Sequence, residues 1–151
     1  MVNNTKYLGI DYGAKRVGIA VSDENKKYSF SRDFMINDDK FFRNLLKLIV
    51  EEKIIKIVIG YPLNFKSGKT IQTETVEKFR SELGSRLNKN KIEADIVFFD
   101  ERLTSKIAMD SIINSGLSKK KRQEKGRVDS ISAQIILQDF IDKTNNQNIY
   151  I

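Results

Sequence analysis

The chain of 151 residues contains no cysteine, no histidine and a single proline. Without cysteine there are no disulfides, no thiolate metal sites and no cysteine nucleophile, and the redox compartment is left open. The missing histidine excludes more. It removes imidazole general bases, zinc motifs of the HExxH kind and every histidine-dependent nuclease mechanism. Acid-base or phosphoryl chemistry here must rest on carboxylates, lysines, tyrosines and metal-bound water. Also missing is an apolar run long enough to span a bilayer, and the start Met1-Val2-Asn3-Asn4-Thr5-Lys6 has no apolar signal region. A soluble, cytoplasmic protein with no membrane partner is expected. The length suits one proper core and is too short for two, so residues 1–151 are expected to form a single domain. Only Asn145-Asn146-Gln147-Asn148 reads as a frayed polar tail.

What is present in excess is positive charge. The formal net charge is +7, which points to polyanionic partners. Its distribution is more telling than its size. Between Lys119 and Arg127 stand Lys119, Lys120, Lys121, Arg122, Lys125 and Arg127 against the one acid Glu124, which is a net five of the seven charges. A general lysine bias does not concentrate charge in this way.

The order of elements constrains the fold. Two strands come first, about Lys6 to Tyr12 and Arg16 to Ser22, then a weaker third near Tyr28 to Met35; the short turns between them imply an antiparallel meander. A helix from about Asp38 to Glu52 carries Phe42, Leu45, Leu46 and Ile49 at helical spacing, with Asn37 as N-cap. Ile55 to Gly60 reads as a buried strand. The helix after it places Val76, Phe79, Leu83 and Leu87 on one stripe, and a strand from about Asp95 to Phe99 follows. This β-α-β-α-β run favours parallel pairing with right-handed crossovers. A helix from about Ser105 to Asn114, the basic loop and a final helix from about Val128 to Lys143 complete the chain. The expected fold class is α/β, a mixed five-stranded sheet flanked by helices in the ribonuclease H-like arrangement.

Three carboxylates occupy costly or suggestive positions. Asp11 lies in the first hydrophobic strand, where an ionised carboxylate must be paired, hydrogen-bonded or metal-bound. Period-two reading puts Tyr7, Gly9 and Asp11 on one face and Leu8, Ile10 and Tyr12 on the other. The Asp11 face is nearly bare, and glycine inside a strand often marks close approach of a ligand or another backbone. Asp100 and Glu101 sit at the carboxyl end of a strand, the edge of an open α/β sheet where ligands bind. Asp129 opens the last helix and extends the stripe Ala133, Ile136 and Phe140 that packs on the sheet. Each acid also has an ordinary structural account: a turn cap at Gly13 to Arg16, a turn before a helix capped by Thr104, a favourable acid in a helix first turn. Taken together, three hard oxygen donors converging on one sheet edge suit Mg²⁺ or Mn²⁺.

These residues carry a family resemblance. Leu8 to Asp23 with its Gly-Ile-Asp-Tyr-Gly core, the strand and loop Val58 to Asn64, the motif Asp100-Glu101-Arg102-Leu103-Thr104, and Lys119 to Arg122 followed by Asp129 together resemble the YqgF (RuvX) family of Holliday junction resolvases. The match runs in order over nearly the whole chain. One departure is Tyr61, where the family commonly has Leu before the proline. The resemblance implies a ribonuclease H-like fold and a metal-dependent nuclease, a hydrolase of phosphodiester bonds acting on structured RNA or branched DNA. It links such proteins both to four-way DNA junctions in recombination and to 5′-end maturation of the small-subunit ribosomal RNA precursor in ribosome biogenesis. It assigns the catalytic, metal-holding acids to Asp11, Glu101 and Asp129.

The expected chemistry is a two-metal clamp on the scissile phosphate, with ions about 4 Å apart, one generating the attacking hydroxide and one stabilising the leaving 3′ oxygen. Lys15, Arg16 and Arg102 lie beside the acids in sequence and suit neutralisation of phosphate charge, or are ordinary surface cations. The loop Lys119 to Arg127 reads as a mobile phosphate clamp. Two resemblances fail. Lys66-Ser67-Gly68-Lys69-Thr70 looks like a phosphate-binding P-loop, but the first glycine such a loop needs is Leu63, and Thr70 is better read as a helix N-cap. An actin-like ATPase opens on a similar hairpin but binds nucleotide between two domains. The remaining rival is a non-catalytic nucleic-acid-binding protein of the same fold. Because every strong apolar stripe is needed by the core, the expected assembly is a monomer or weak homodimer, with precursor ribosomal RNA favoured over junction DNA.

Overall fold

The computed structural model describes residues 4–62, 69–100 and 125–149, with side chains at 4–62, 69–100 and 130–145. Strands β1 (Lys6–Asp11), β2 (Arg16–Ser22) and β3 (Ser29–Ile36) form the expected meander, followed by α1 (Phe41–Glu51), β4 (Ile54–Tyr61), α2 (Ile71–Lys89), β5 (Asp95–Asp100) and α3 (Lys125–Ile149). The sheet runs β3-β2-β1-β4-β5. β1 is antiparallel to β2 and parallel to β4, and β4 is parallel to β5. This is the α/β, ribonuclease H-like sheet expected from the order of elements. The expected helix over 105–114 lies outside the described residues.

Strand alternation sorts the core into two layers. Leu8, Ile10, Val17, Ile19, Ile57 and Ile59 face α1 and α2, where they meet Phe41, Leu45, Ile49, Val76, Phe79 and Leu83. Tyr12, just past β1, stacks on Phe79 with ring centroids 4.2 Å apart. The α2 stripe of Val76, Phe79, Leu83 and Leu87 is buried throughout. At about 1.5–3 kcal/mol for each buried side chain it outweighs the roughly 1 kcal/mol cost of Gly84 in the helix interior. Thr70 caps this helix as expected, in a reciprocal box with Thr73. On the other face Ala20, Val58 and Phe99 pack against Ala133, Ile136, Leu137 and Ile141 of α3.

Four expectations need correction. Asn37 does not cap α1; its side-chain amide donates to the Gly13 carbonyl at 2.9 Å and its N–H to the Lys15 carbonyl at 2.9 Å, so it ties β3 to the β1–β2 hairpin. Asp38 does the local work instead, accepting from the Lys40 N–H at 3.0 Å through its side chain and from the Phe41 N–H at 3.1 Å through its carbonyl. The last helix begins at Lys125, not Val128, so Lys125, Arg127 and Asp129 are helical and Asp129 stands a turn inside. The helix also runs on to Ile149, past the expected end near Lys143. Finally, apolar surface does remain outside the core: Tyr28, Phe30, Phe34 and Ile36, on or just before the edge strand β3, are exposed.

Candidate active site

Asp11 is the last residue of β1 and is half-buried. Its cross-strand partner is Gly18, and on the other side β4 presents Gly60, one position past the Ile10–Ile59 pair. Neither neighbouring strand therefore sets a side chain beside this carboxylate. The face it occupies is that of Gly9, and there the approaching backbone is α3. A β-carbon at Gly9 would lie 2.7 Å from the Leu137 β-carbon and 2.9 Å from the Ala133 carbonyl oxygen. The bare face of β1 is thus bare because a helix backbone presses on it.

The direction of α3 follows from the same contacts. Tyr7 meets Phe140, with ring centroids 6.2 Å apart, whereas Gly9 meets Leu137 and Ala133. Moving toward Asp11 on β1 therefore moves toward lower numbers on α3. Two strand residues span about 6.6 Å and one helical turn about 5.4 Å. The helical position of Asp129, one turn before Ala133, is carried toward the Asp11 end of β1.

Across β4, Asp100 ends β5 and pairs with Tyr61. Asp11 and Asp100 therefore share the carboxyl edge of the sheet, but not a face. Val97 and Phe99 pack in the α3 layer, and Ile96 packs in the opposite one, so alternation places Phe98 and Asp100 on the α2 side. Among the described residues no group of three or more His, Cys, Asp or Glu side chains is gathered to hold a metal ion. Glu101 and the Asp129 side chain lie outside the described residues. So do Arg102, Lys119, Lys120, Lys121 and Arg122, and the side chains of Lys125 and Arg127. Lys15 is exposed in the β1–β2 turn, and Arg16 is half-buried at the start of β2.

The α2 side of this edge holds a cluster that sequence reading passed over. The Tyr61 hydroxyl donates to Glu77 of α2, and Lys69 lies 3.4 Å from the same carboxylate. The hydrogen bond from Tyr61 holds Glu77 below the usual carboxylate range, and in return Glu77 pushes the Tyr61 phenol up to about 12. Thr73 adds a second tie by donating to the Pro62 carbonyl at 3.0 Å. The end of β4 is therefore bolted to the first turns of α2. Phe98 is beside Tyr61, their centroids 4.6 Å apart. The one signal available was the doublet Phe98-Phe99, since adjacent strand residues face opposite ways and both cannot enter one core layer.

The profile of the family described as "RuvX: Holliday junction resolvase" matches residues 5–143. The chain belongs to the RuvX family. A relative from Sulfurihydrogenibium sp., named "Putative pre-16S rRNA nuclease", is 38% identical over 146 residues, covering 95% of this chain and 94% of its own. One from Flavobacterium psychrophilum with the same name is 38% identical over 138 residues, covering 91% and 97%. Among solved structures, Fowlpox virus resolvase in complex with Holliday junction DNA superposes with a TM-score of 0.55 at 9% identity, covering 92% of this chain and 98% of that one. T. thermophilus RuvC with its Holliday junction substrate gives 0.54 at 9% identity, covering 91% and 93%. At that identity the structural likeness speaks for the fold. Family membership makes this RuvX chain a nuclease, a hydrolase of phosphodiester bonds acting on structured nucleic acid. Among the described residues no helix is long and apolar enough to cross a membrane.

Proposed function

We propose that this RuvX chain works as a single-domain cytoplasmic nuclease whose metal site is built from Asp11, Glu101 and Asp129, and that its substrate is structured RNA of the small-subunit ribosomal precursor. The observation that carries the reading is the position of Asp11: half-buried, at the carboxyl edge of the sheet, between two glycines, on the face where α3 runs toward its Asp129 end. Asp100 lies on the α2 side of β5, away from the face of Asp11, and the second acid of the site is taken from the family resemblance, which assigns Glu101.

The donor set fits a hard divalent ion. Carboxylates without histidine or cysteine select Mg²⁺ or Mn²⁺ over softer metals. Such an ion supplies Lewis acidity toward a phosphate oxygen and a lowered pKa for bound water. The chain's own residues do the rest. Asp11 is fixed by the β1 ladder, so it needs little reorganisation to serve as a ligand. Lys15, Arg16 and Arg102 flank the acids in sequence and neutralise phosphate charge, and Lys119 to Arg122 with Lys125 and Arg127 hold the backbone of the nucleic acid. The curated relatives' names favour precursor ribosomal RNA. A monomer or weak homodimer suffices for that reaction.

The deciding experiment incubates purified protein with labelled precursor ribosomal RNA fragments and four-way DNA junctions, each with Mg²⁺, Mn²⁺ or chelator. Metal-dependent cleavage of the RNA, lost on chelation, is expected. Binding without cleavage under every metal condition would return the chain to a non-catalytic nucleic-acid-binding role.

A further inference from the structure

Beyond the acids, the same sheet edge carries a second feature on its α2 side. Along β5, Ile96 is packed beneath α2, yet Phe98, two residues later on the same face, is left 38% exposed. Its ring lies 4.6 Å from that of Tyr61 at 45°. The Tyr61 ring is not free to turn away, because its hydroxyl is held by Glu77. Beside this aromatic pair Lys69 keeps its side chain 70% exposed, at 3.4 Å from Glu77. Tyr61 pairs in register with Asp100, so the pair belongs to the edge that ends in the proposed catalytic acids.

We infer that Tyr61 and Phe98, with Lys69 beside them, form a stacking subsite for an unpaired nucleotide of the substrate strand. This rests on the nuclease reading above and deepens it. A pre-ordered aromatic face next to an exposed cation matches the two parts of a nucleotide: the base stacks and the phosphate meets the ammonium. Immobilising the Tyr61 ring through Glu77 lowers the entropy lost on binding. A patch of two rings is far below the 1,200 Å² or so of total surface that a stable protein interface buries, which disfavours a protein partner. Because stacking is indifferent to base identity, the subsite selects unpaired over paired strands and not one sequence over another. It also gives Tyr61, the departure from the family's usual Leu, a specific role.

The chain has no tryptophan, so fluorescence of 2-aminopurine reports stacking cleanly. The probes are an RNA hairpin with 2-aminopurine in a short single-stranded extension and a fully paired duplex carrying the same base, both bound to Asp11→Asn protein so that no cleavage intervenes. The extension is expected to be quenched on binding and the duplex not. Phe98→Ala should abolish the quenching and weaken binding of the extended hairpin by at least about five-fold, leaving the duplex unchanged. Phe98→Leu, which keeps apolar bulk on β5, should lose quenching in the same way, and Tyr61→Phe should retain part of it. Quenching that survives Phe98→Leu, equal weakening for hairpin and duplex, or absence of binding by the parent protein would overturn the subsite. Loss of stacking alongside intact metal-dependent cleavage by the wild-type chain would defeat the subsite and leave the nuclease reading standing. Stacking without any cleavage by the wild type would do the reverse.

Discussion

Asp11 and Gly9 sit two residues apart on one strand, the first a proposed metal ligand and the second the point where the α3 backbone closes on the sheet. Replacing Asp11 with Asn removes a charge and leaves the shape, so cleavage is expected to be lost while circular dichroism and the thermal midpoint stay close to wild type. A variant that cleaves normally, or one that unfolds, would reject Asp11 as a metal ligand. Gly9→Ala acts the other way. The new methyl would meet the Ala133 carbonyl and the Leu137 β-carbon at under 3 Å, and neither can swing aside. A loss of about 1–3 kcal/mol in denaturant unfolding is expected, together with reduced activity, because the helix pushed away carries Asp129. Both residues were legible in sequence from strand alternation and from the cost of a buried carboxylate. The Tyr61–Glu77 contact was not: sixteen residues separate the pair, and only the packing of α2 on β4 brings them together.

At the scale of elements, the order β-β-β-α-β-α-β was readable because short turns force antiparallel pairing and intervening helices force parallel pairing. Helix ends were harder to read. Lys125-Gly126-Arg127 offers no apolar stripe and no capping side chain, so nothing local announces that α3 has begun. Likewise Asn37 is a good cap in sequence, but the hairpin at Gly13 takes its side chain, and the N-cap position of α1 falls to Lys40 with no side-chain hydrogen bond. A tertiary tie of another kind holds α1. Glu52, at its carboxyl end, accepts from Lys6 of β1 at 2.8 Å and pairs with Arg32 of β3. The hydrogen bond from Lys6, reinforced by Arg32, holds the Glu52 carboxyl below its ordinary value of 4.5. A depressed carboxyl stabilises the fold fully above the unfolded value and loses that contribution as pH falls through the folded one. Unfolding free energies from urea titration of wild type and Glu52→Gln are therefore expected to differ at neutral pH by about 0.5–1 kcal/mol. The gap should narrow as pH drops below about 4.5. A gap that widens in acid would show that the pair does not carry the effect.

At the scale of the whole molecule, charge and symmetry bear on what the protein cuts. Converting Lys119, Lys120, Lys121 and Arg122 to Gln should weaken binding to every nucleic acid by a similar factor and flatten its salt dependence, since phosphate contacts release counterions without reading bases. Unchanged affinity at low salt would make this quartet ordinary surface charge. Symmetric resolution of a four-way junction demands two active sites related by a two-fold axis and facing the same junction. The apolar side chains of the edge strand β3 give this chain more self-association surface than its sequence suggests. Yet antiparallel pairing of β3 with a second copy, about an axis normal to the sheet, reverses every strand. The two Asp11 edges would then point in opposite directions. That pairing also sets Arg32 against Arg32 or Asp33 against Asp33 in its central registers, and Arg32 is already engaged by Glu52. A dimer through β3 is thus a poor resolvase, whereas the proposed RNA cleavage needs only one copy. Sedimentation with cleavage mapping should find a monomer or weak dimer whose RNA-cleavage rate per site is independent of concentration. A tight dimer that nicks opposing strands of a four-way junction in symmetric pairs, and leaves precursor RNA intact, would reverse the substrate assignment.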